Sequence, residues 1–247
     1  MNGRIVLAAV GVLSLGLAAC QPAKDDDAAF GARVKAYLMA HPEALHAALD
    51  NMQTKDDAAQ AKAYAEADAK AQVLLPALRS ALEHDPRDFV ANPDGRITVT
   101  EFYDYRCPHC IDIAPKVVEL IQQHPEVRFV FKEMPIFGDT SEHAADAALA
   151  AKAQGKDYVG LYTAMMQARP LTDDEIDRLA TAHGVSVALM NAPQSLAKDT
   201  AQLADVADLA GKLHIVGTPG FVIGDTIIPG EDYDALQAAI AKAEAKA

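Results

Sequence analysis

Apolar positions change their period along the chain. Phe30, Val34, Tyr37 and Leu38 fall at i, i+4, i+7 and i+8, one face of a helix. His41-Pro42-Glu43 restarts the chain, because proline suits the first helical position and a carboxylate complements the positive helix end. Leu45, Leu49 and Met52 then continue the stripe. From Thr54 to Gln72 Tyr64 is the only large apolar side chain among Ala, Lys, Asp, Glu and Gln, which predicts an exposed connecting helix. Val73-Leu74-Leu75, Leu78 and Leu82 resume an apolar pattern around Pro76. Asp85 to Asp94 carries Pro86, Pro93 and the turn Asn92-Pro93-Asp94-Gly95, with Phe89-Val90 as a short strand inside it.

Beyond that linker the periods alternate as in an α/β protein. Arg96 to Asp104 predicts a central strand, Pro108 to Gln123 a helix with Pro115 placed to kink it, and Val127 to Glu133 a second strand. Ser141 to about Gly211 is helical by pattern, with a capping box at Thr172-Asp173-Asp174-Glu175 and helix stops at Gly155 and Gly184. Pro219 to Ile223 and Thr226 to Ile228 form a hairpin around Gly224-Asp225, and Asp232 to Ala245 a closing helix.

Residues 1–19 read as a signal segment: Arg4 is the positive n-region, and Ile5 to Leu17 is too short to span a bilayer comfortably. Leu17-Ala18-Ala19-Cys20 resembles a bacterial lipobox, which makes Cys20 the lipidated first residue of an exported chain. Ordinary cleavage after Ala19 is the competing reading. Export implies a compartment that tolerates disulfides. With 22 Lys+Arg against 35 Asp+Glu, a net charge of -13 argues against nucleic acid or anionic lipid as partner.

The remaining cysteines stand in Cys107-Pro108-His109-Cys110, where the first strand hands over to the helix. Unpaired N–H groups and the positive helix end favour a thiolate at Cys107, and His109 adds to this. A nucleophilic thiolate with a resolving partner, here Cys110, is the minimum for thiol–disulfide exchange. Zinc would need four ligands, and no second close pair of Cys or His supplies them. A structural disulfide closing so short a loop would remove little unfolded-state entropy. No metal or other cofactor is expected. Glu101 is the odd residue of an otherwise apolar strand, where a buried carboxylate is costly without work or a partner. Lys132, on the neighbouring strand, is its candidate ion partner; the alternative is a half-exposed strand with a solvated Glu101.

Glu101-Phe102-Tyr103-Asp104-Tyr105-Arg106-Cys107-Pro108-His109-Cys110 resembles the active-site segment of the DsbA-like thiol–disulfide oxidoreductases. Val216-Gly217-Thr218-Pro219-Gly220-Phe221-Val222-Ile223-Gly224 resembles the cis-proline loop and following strand of that family. The resemblance implies an α/β thioredoxin fold with an inserted helical domain, preceded here by a helical extension. It implies a cis Thr218–Pro219 bond beside the thiols, where Thr218 backbone can pair with extended substrate. It also places Glu101 where the family keeps a buried acid beneath the resolving cysteine, for proton exchange with Cys110. Tyr103, Asp104 and Pro135 resemble positions near the site without a defined role. Val34 to Leu49 resembles the N-terminal region of the suppressor-of-copper-sensitivity C proteins, some of which oligomerise there and behave as disulfide isomerases. A helical hairpin packed on its own catalytic domain is the alternative.

The expected organisation is a signal peptide over 1–19, a tether over 20–29, and a helical extension over 30–85 as candidate self-association region. A DsbA-like thioredoxin domain follows over 86–247, its insertion at about 138–212. The expected function is exported, lipid-anchored thiol–disulfide exchange on unfolded or misfolded cysteine-containing proteins, with a membrane redox partner. Its direction, oxidase or isomerase, is left open by the sequence. A copper-binding or metallochaperone module using the same two thiols is the rival, since soft thiolates select Cu(I).

Overall fold

The computed structural model describes residues 24–245; the signal segment over 1–19 and Cys20 lie outside the described residues. Two compact units divide between Ala61 and Lys62. In the first, α1 (Lys24–Ala40) ends at His41, and the first half of α2 (Pro42–Glu83) follows. Phe30, Val34, Tyr37, Leu45, Leu49 and Met52 are all exposed on these helices. Among the described residues no helix is long and apolar enough to cross a membrane.

The second unit is built on a five-stranded sheet of order β1-β3-β2-β4-β5. Its strands are β1 (Phe89–Ala91), β2 (Ile97–Tyr103), β3 (Val127–Glu133), β4 (Gly220–Ile223) and β5 (Thr226–Pro229). β2 runs parallel to β3 and antiparallel to β4, so it is hydrogen-bonded along both sides. The parallel pair needs a crossover, which α3 (Pro108–Gln123) supplies. Five helices fill the insertion between β3 and β4: α4 (Asp139–Ala153), α5 (Tyr158–Gln167), α6 (Asp173–Ala182), α7 (Val187–Met190) and α8 (Pro193–Lys212). The Thr172 hydroxyl caps α6 by accepting from Glu175 N–H, and Gly155 and Gly184 take positive φ after α4 and α6. α9 (Tyr233–Glu244) closes the chain. This is a thioredoxin-like α/β fold with a helical insertion.

The sheet is covered on both faces. On one, Val99 and Tyr103 of β2 and Phe129 and Phe131 of β3 pack with Val117 of α3 and Tyr162 of α5. On the other, Phe102 and Val222 pack with Leu75 and Leu82 of α2 and with Val206 and Leu209 of α8. Burying Leu75 and Leu82 contributes roughly 2 kcal/mol each. The second unit starts at Lys62 and so includes this end of α2.

Sheet side chains satisfy the last carbonyls of α2. Lys132 Nζ donates to Ala81 O at 2.6 Å, Thr100 Oγ1 to Leu82 O at 3.2 Å, and Arg128 Nη1 to Glu83 O at 2.6 Å. These are the carbonyls that helix geometry leaves unpaired. Lys132 also forms a fully buried ion pair with Asp88, whose second oxygen accepts from Gln202 Nε2 at 3.2 Å. Burial nevertheless pushes the Asp88 carboxyl up to about 6 against the pull of Lys132.

This corrects the assignment of Lys132 to Glu101. In the parallel register Lys132 lies opposite Phe102, while Glu101 lies opposite Phe131. Alternation along a strand then places the Lys132 and Glu101 side chains on opposite faces. Lys132→Met should lower stability to urea by about 3 kcal/mol, because it strands a buried carboxylate and frees the end of α2. Adding Asp88→Leu should recover much of that loss. Equal stability of Lys132→Met and the parent chain would show the pair to be dispensable.

Candidate active site

Cys107 is the N-cap residue of α3, with φ -71° and ψ 120°, and Pro108 follows in the first turn. Pro108 lacks only a donor that the helix start leaves unpaired. The Cys107 carbonyl accepts from Ile111 N–H at 3.0 Å, closing the first turn and carrying Cys110 inward. Cys110 is fully buried, and both cysteines are free thiols.

The Thr218–Pro219 bond is cis, and Cys107 Sγ donates to Thr218 O at 3.1 Å. The loop and the first thiol are thus brought together from opposite ends of the domain, leaving Cys107 only 2 % exposed. The loop, remote in sequence, covers the thiol at the helix start. Beside this loop runs a groove of about 360 Å³, bordered by Ile215, Val216, Thr218, Pro219, Ile227 and Pro229.

Hydrogen bonds to its sulfur lower the Cys107 thiol to about 5, the Cys110 thiol first and then Thr218 and the N–H groups of Cys110 and His109. Partial burial works against them. Burial drives Cys110 far in the other direction, and the adjoining Cys107 reinforces this. His109 is exposed, with Nδ1 3.0 Å from Glu231 Oε1, and this carboxylate raises the imidazole above its ordinary pKa.

Glu101 is 1 % exposed, and neither of its oxygens has a hydrogen-bond partner. Burial pushes its carboxyl up to about 8. It lies close enough for its charge to raise Cys110. Among the expected residues the fold therefore unites Cys107, Pro108, His109, Cys110, Thr218 and Pro219, with Glu101 beneath them. Lys132 stands apart on the far face.

Other residues complete the surroundings. Asp104 Oδ1 accepts from Arg106 N–H at 2.7 Å and Ser141 Oγ at 2.9 Å, and its Oδ2 from Ile136 N–H at 2.6 Å and Phe137 N–H at 3.1 Å. It fastens the segment after β3, with exposed Ile136 and Phe137, to the strand end that carries Cys107. Glu133 is a second buried acid, accepting from Tyr103 OH and from Tyr158 OH at 2.6 Å. The signal for Glu133 was the one that singled out Glu101, a carboxyl in an apolar strand. Among the described residues, His124, Glu126 and Glu244 are a grouping able to hold a metal, at the opposite end of α3 from the thiols.

Alkylation of the reduced protein at about pH 6 should label Cys107 alone, since Cys110 is both buried and protonated there. A thiolate stabilised by folding contributes most above the unfolded pKa and is lost as pH falls through about 5. The reduced protein should therefore lose roughly 2 kcal/mol relative to Cys107→Ala between pH 7 and pH 5. Equal labelling of both thiols, or parallel pH dependences, would contradict this arrangement.

Comparisons with known proteins agree with the geometry. A thioredoxin-like oxidoreductase of Silicibacter pomeroyi superposes with a TM-score of 0.63 at 37% identity, covering 68% of this chain and 98% of that one. ScsC of Proteus mirabilis, in a transitional conformation, gives 0.63 at 28% identity, covering 90% and 99% of the two chains. A curated relative, the Na(+)/H(+) antiporter NhaA 3 of Salinispora tropica, is 31% identical over 171 residues, 66% of this chain. The matching part spans about a quarter of the antiporter (26%). The model of the DSBA-like thioredoxin domain matches residues 98–241, more than half of the chain. With the paired thiols, the cis-proline loop and the helical insertion all inside that match, the chain belongs to the DSBA-like thioredoxin domain family.

Proposed function

We propose that this chain is an exported thiol–disulfide oxidoreductase acting on cysteines of unfolded or misfolded proteins. The observation that carries the reading is Cys107 at a helix start, its sulfur 3.1 Å from the Thr218 carbonyl, with the protonated Cys110 one turn behind it. The thiolate attacks a substrate disulfide, one substrate sulfur leaves, and a mixed disulfide forms on Cys107. The backbone of Thr218 pairs with the substrate as a short strand, and apolar side chains near its cysteine rest in the groove beside Val216 and Ile227. His109 and the helix end stabilise the thiolate, which makes Cys107 both nucleophile and good leaving group.

Within this class we favour isomerisation by a self-associated form. The exposed Phe30, Val34, Leu45 and Leu49 support it, because helices with so little core of their own need a partner surface. Several sites would then face a shared space, held reduced by a membrane redox partner. Export follows from the signal segment, and Cys20 is the proposed lipid anchor.

The mature chain should sediment as an oligomer at micromolar concentration and both reduce insulin and refold scrambled ribonuclease. Removing residues 1–61 leaves the second unit whole. That product should be monomeric, still reduce insulin, and lose most isomerase activity. A mature chain that sediments as a monomer would defeat the self-association reading, and failure to reduce insulin would defeat the functional one.

A further inference from the structure

Three loops meet at the thiols, and hydrogen bonds tie each to the next. Cys107 Sγ donates to Thr218 O at 3.1 Å, and the neighbouring Pro219 carbonyl accepts from Gly230 N–H at 2.8 Å. Gly230 takes φ +75°, a turn that other residues adopt only with strain. It follows β5, whose Pro229 pairs with Gly220 of β4. Two residues on, Asp232 caps α9 by accepting from Ala235 N–H at 2.9 Å. Glu231 therefore stands between two fixed points. Its Oε1 lies 3.0 Å from His109 Nδ1, across 122 residues of sequence, which closes the ring of contacts back onto the Cys107-Pro108-His109-Cys110 turn.

Both side chains are exposed, 64% for His109 and 43% for Glu231. An ion pair between two loose surface side chains contributes little, because each must be ordered to make it. Here the backbone has already ordered one partner, and the helix start holds the other. The groups that face the imidazole are Glu231, Cys107 and Asp112, all of them negative when charged. Together they raise the ring above its ordinary pKa, Glu231 foremost, first as hydrogen-bond acceptor and then as charge. Cys107 acts in the same direction, and that attraction is mutual: a thiolate that favours the imidazolium is itself favoured by it.

We propose that Glu231 is a positioning residue of the redox site: its carboxylate accepts from His109 Nδ1–H and holds that ring as an imidazolium near the Cys107 thiolate. This rests on the thiol–disulfide reading above. Without the carboxylate the ring gives up its proton at lower pH, and the thiolate then faces a neutral imidazole. Loss of that charge weakens the reduced form relative to the disulfide form, which has no thiolate to stabilise. Glu231 thereby keeps the protein oxidising up to a higher pH than the helix end and His109 sustain alone. In exchange with glutathione disulfide, two electrons pass from the dithiol to glutathione. The Cys107–Cys110 bond forms and the glutathione S–S bond breaks. Its two sulfurs leave as thiols, one with the Cys110 proton and one with a proton from solvent.

The test is the equilibrium of the full chain with reduced and oxidised glutathione, followed at the Cys107–Cys110 pair. In Glu231→Gln it should match the parent at about pH 5.5, where the ring is charged in both. At about pH 7.5 it should shift roughly twofold towards the protein disulfide. Glu231→Asp, with a shorter reach to the same nitrogen, should fall between. In a His109→Gln background, Glu231→Gln should have no effect at either pH. Proton NMR gives a readout apart from exchange. The His109 C2 proton, identified by its loss in His109→Gln, should titrate at lower pH in Glu231→Gln, in the oxidised as well as the reduced chain. A shift that persists without His109, an unmoved His109 titration, or equal glutathione equilibria at the higher pH overturns the proposal. A parent chain that exchanges no disulfide with glutathione would instead overturn the thiol–disulfide reading.

Discussion

Strand β2 is hydrogen-bonded on both edges and covered on both faces, and this constraint organises the rest. A strand so enclosed cannot shift register without turning its whole apolar set to the wrong layer. Its C-terminal end is therefore a fixed point. Cys107 leaves that end directly into α3, and β4, the antiparallel neighbour of β2, brings Thr218 and Pro219 to the same end. The sulfur and the carbonyl that faces it are positioned by one ladder rather than by two loops.

The faces of that strand carry opposite electrostatic solutions. Under α2 and α8, the buried charge of Lys132 is answered by Asp88, and its remaining donors serve the helix end. Under α3 and α5, Glu101 and Glu133 have no cation among the described residues, and burial is the largest influence on both. Strand alternation keeps the sets apart: Lys132 and Glu133 are consecutive, yet the sheet lies between their side chains. A lysine that reached Glu101 would favour the charged form of that carboxyl.

Much of this was legible in the sequence. The alternation over Val127–Glu133 and the helical spacing over Pro108–Gln123 match the observed β3 and α3. Two paired thiols at a strand-to-helix passage identify the chemistry before any coordinate is known. What stayed hidden was tertiary. Neighbouring strands suggested a Glu101–Lys132 pair, but only the register tells which residues share a face. The cover over Cys107 comes from a loop more than a hundred residues away. The renewed apolar pattern at Leu75 and Leu82 was visible, but not the surface it meets: two leucines seat the end of α2 on the sheet.

The uncompensated acids have a thermodynamic consequence of their own. Glu101 and Glu133 hold their protons more tightly in the native chain than in an unfolded one, so folding takes protons up at these sites. Their contribution is fully present below the unfolded carboxyl range and drains away as pH rises through about 8. Surface carboxylates paired with cations respond the other way. Beneath a strongly acidic exterior, the catalytic layer is thus a proton sink, and mild acidification tightens the native state there.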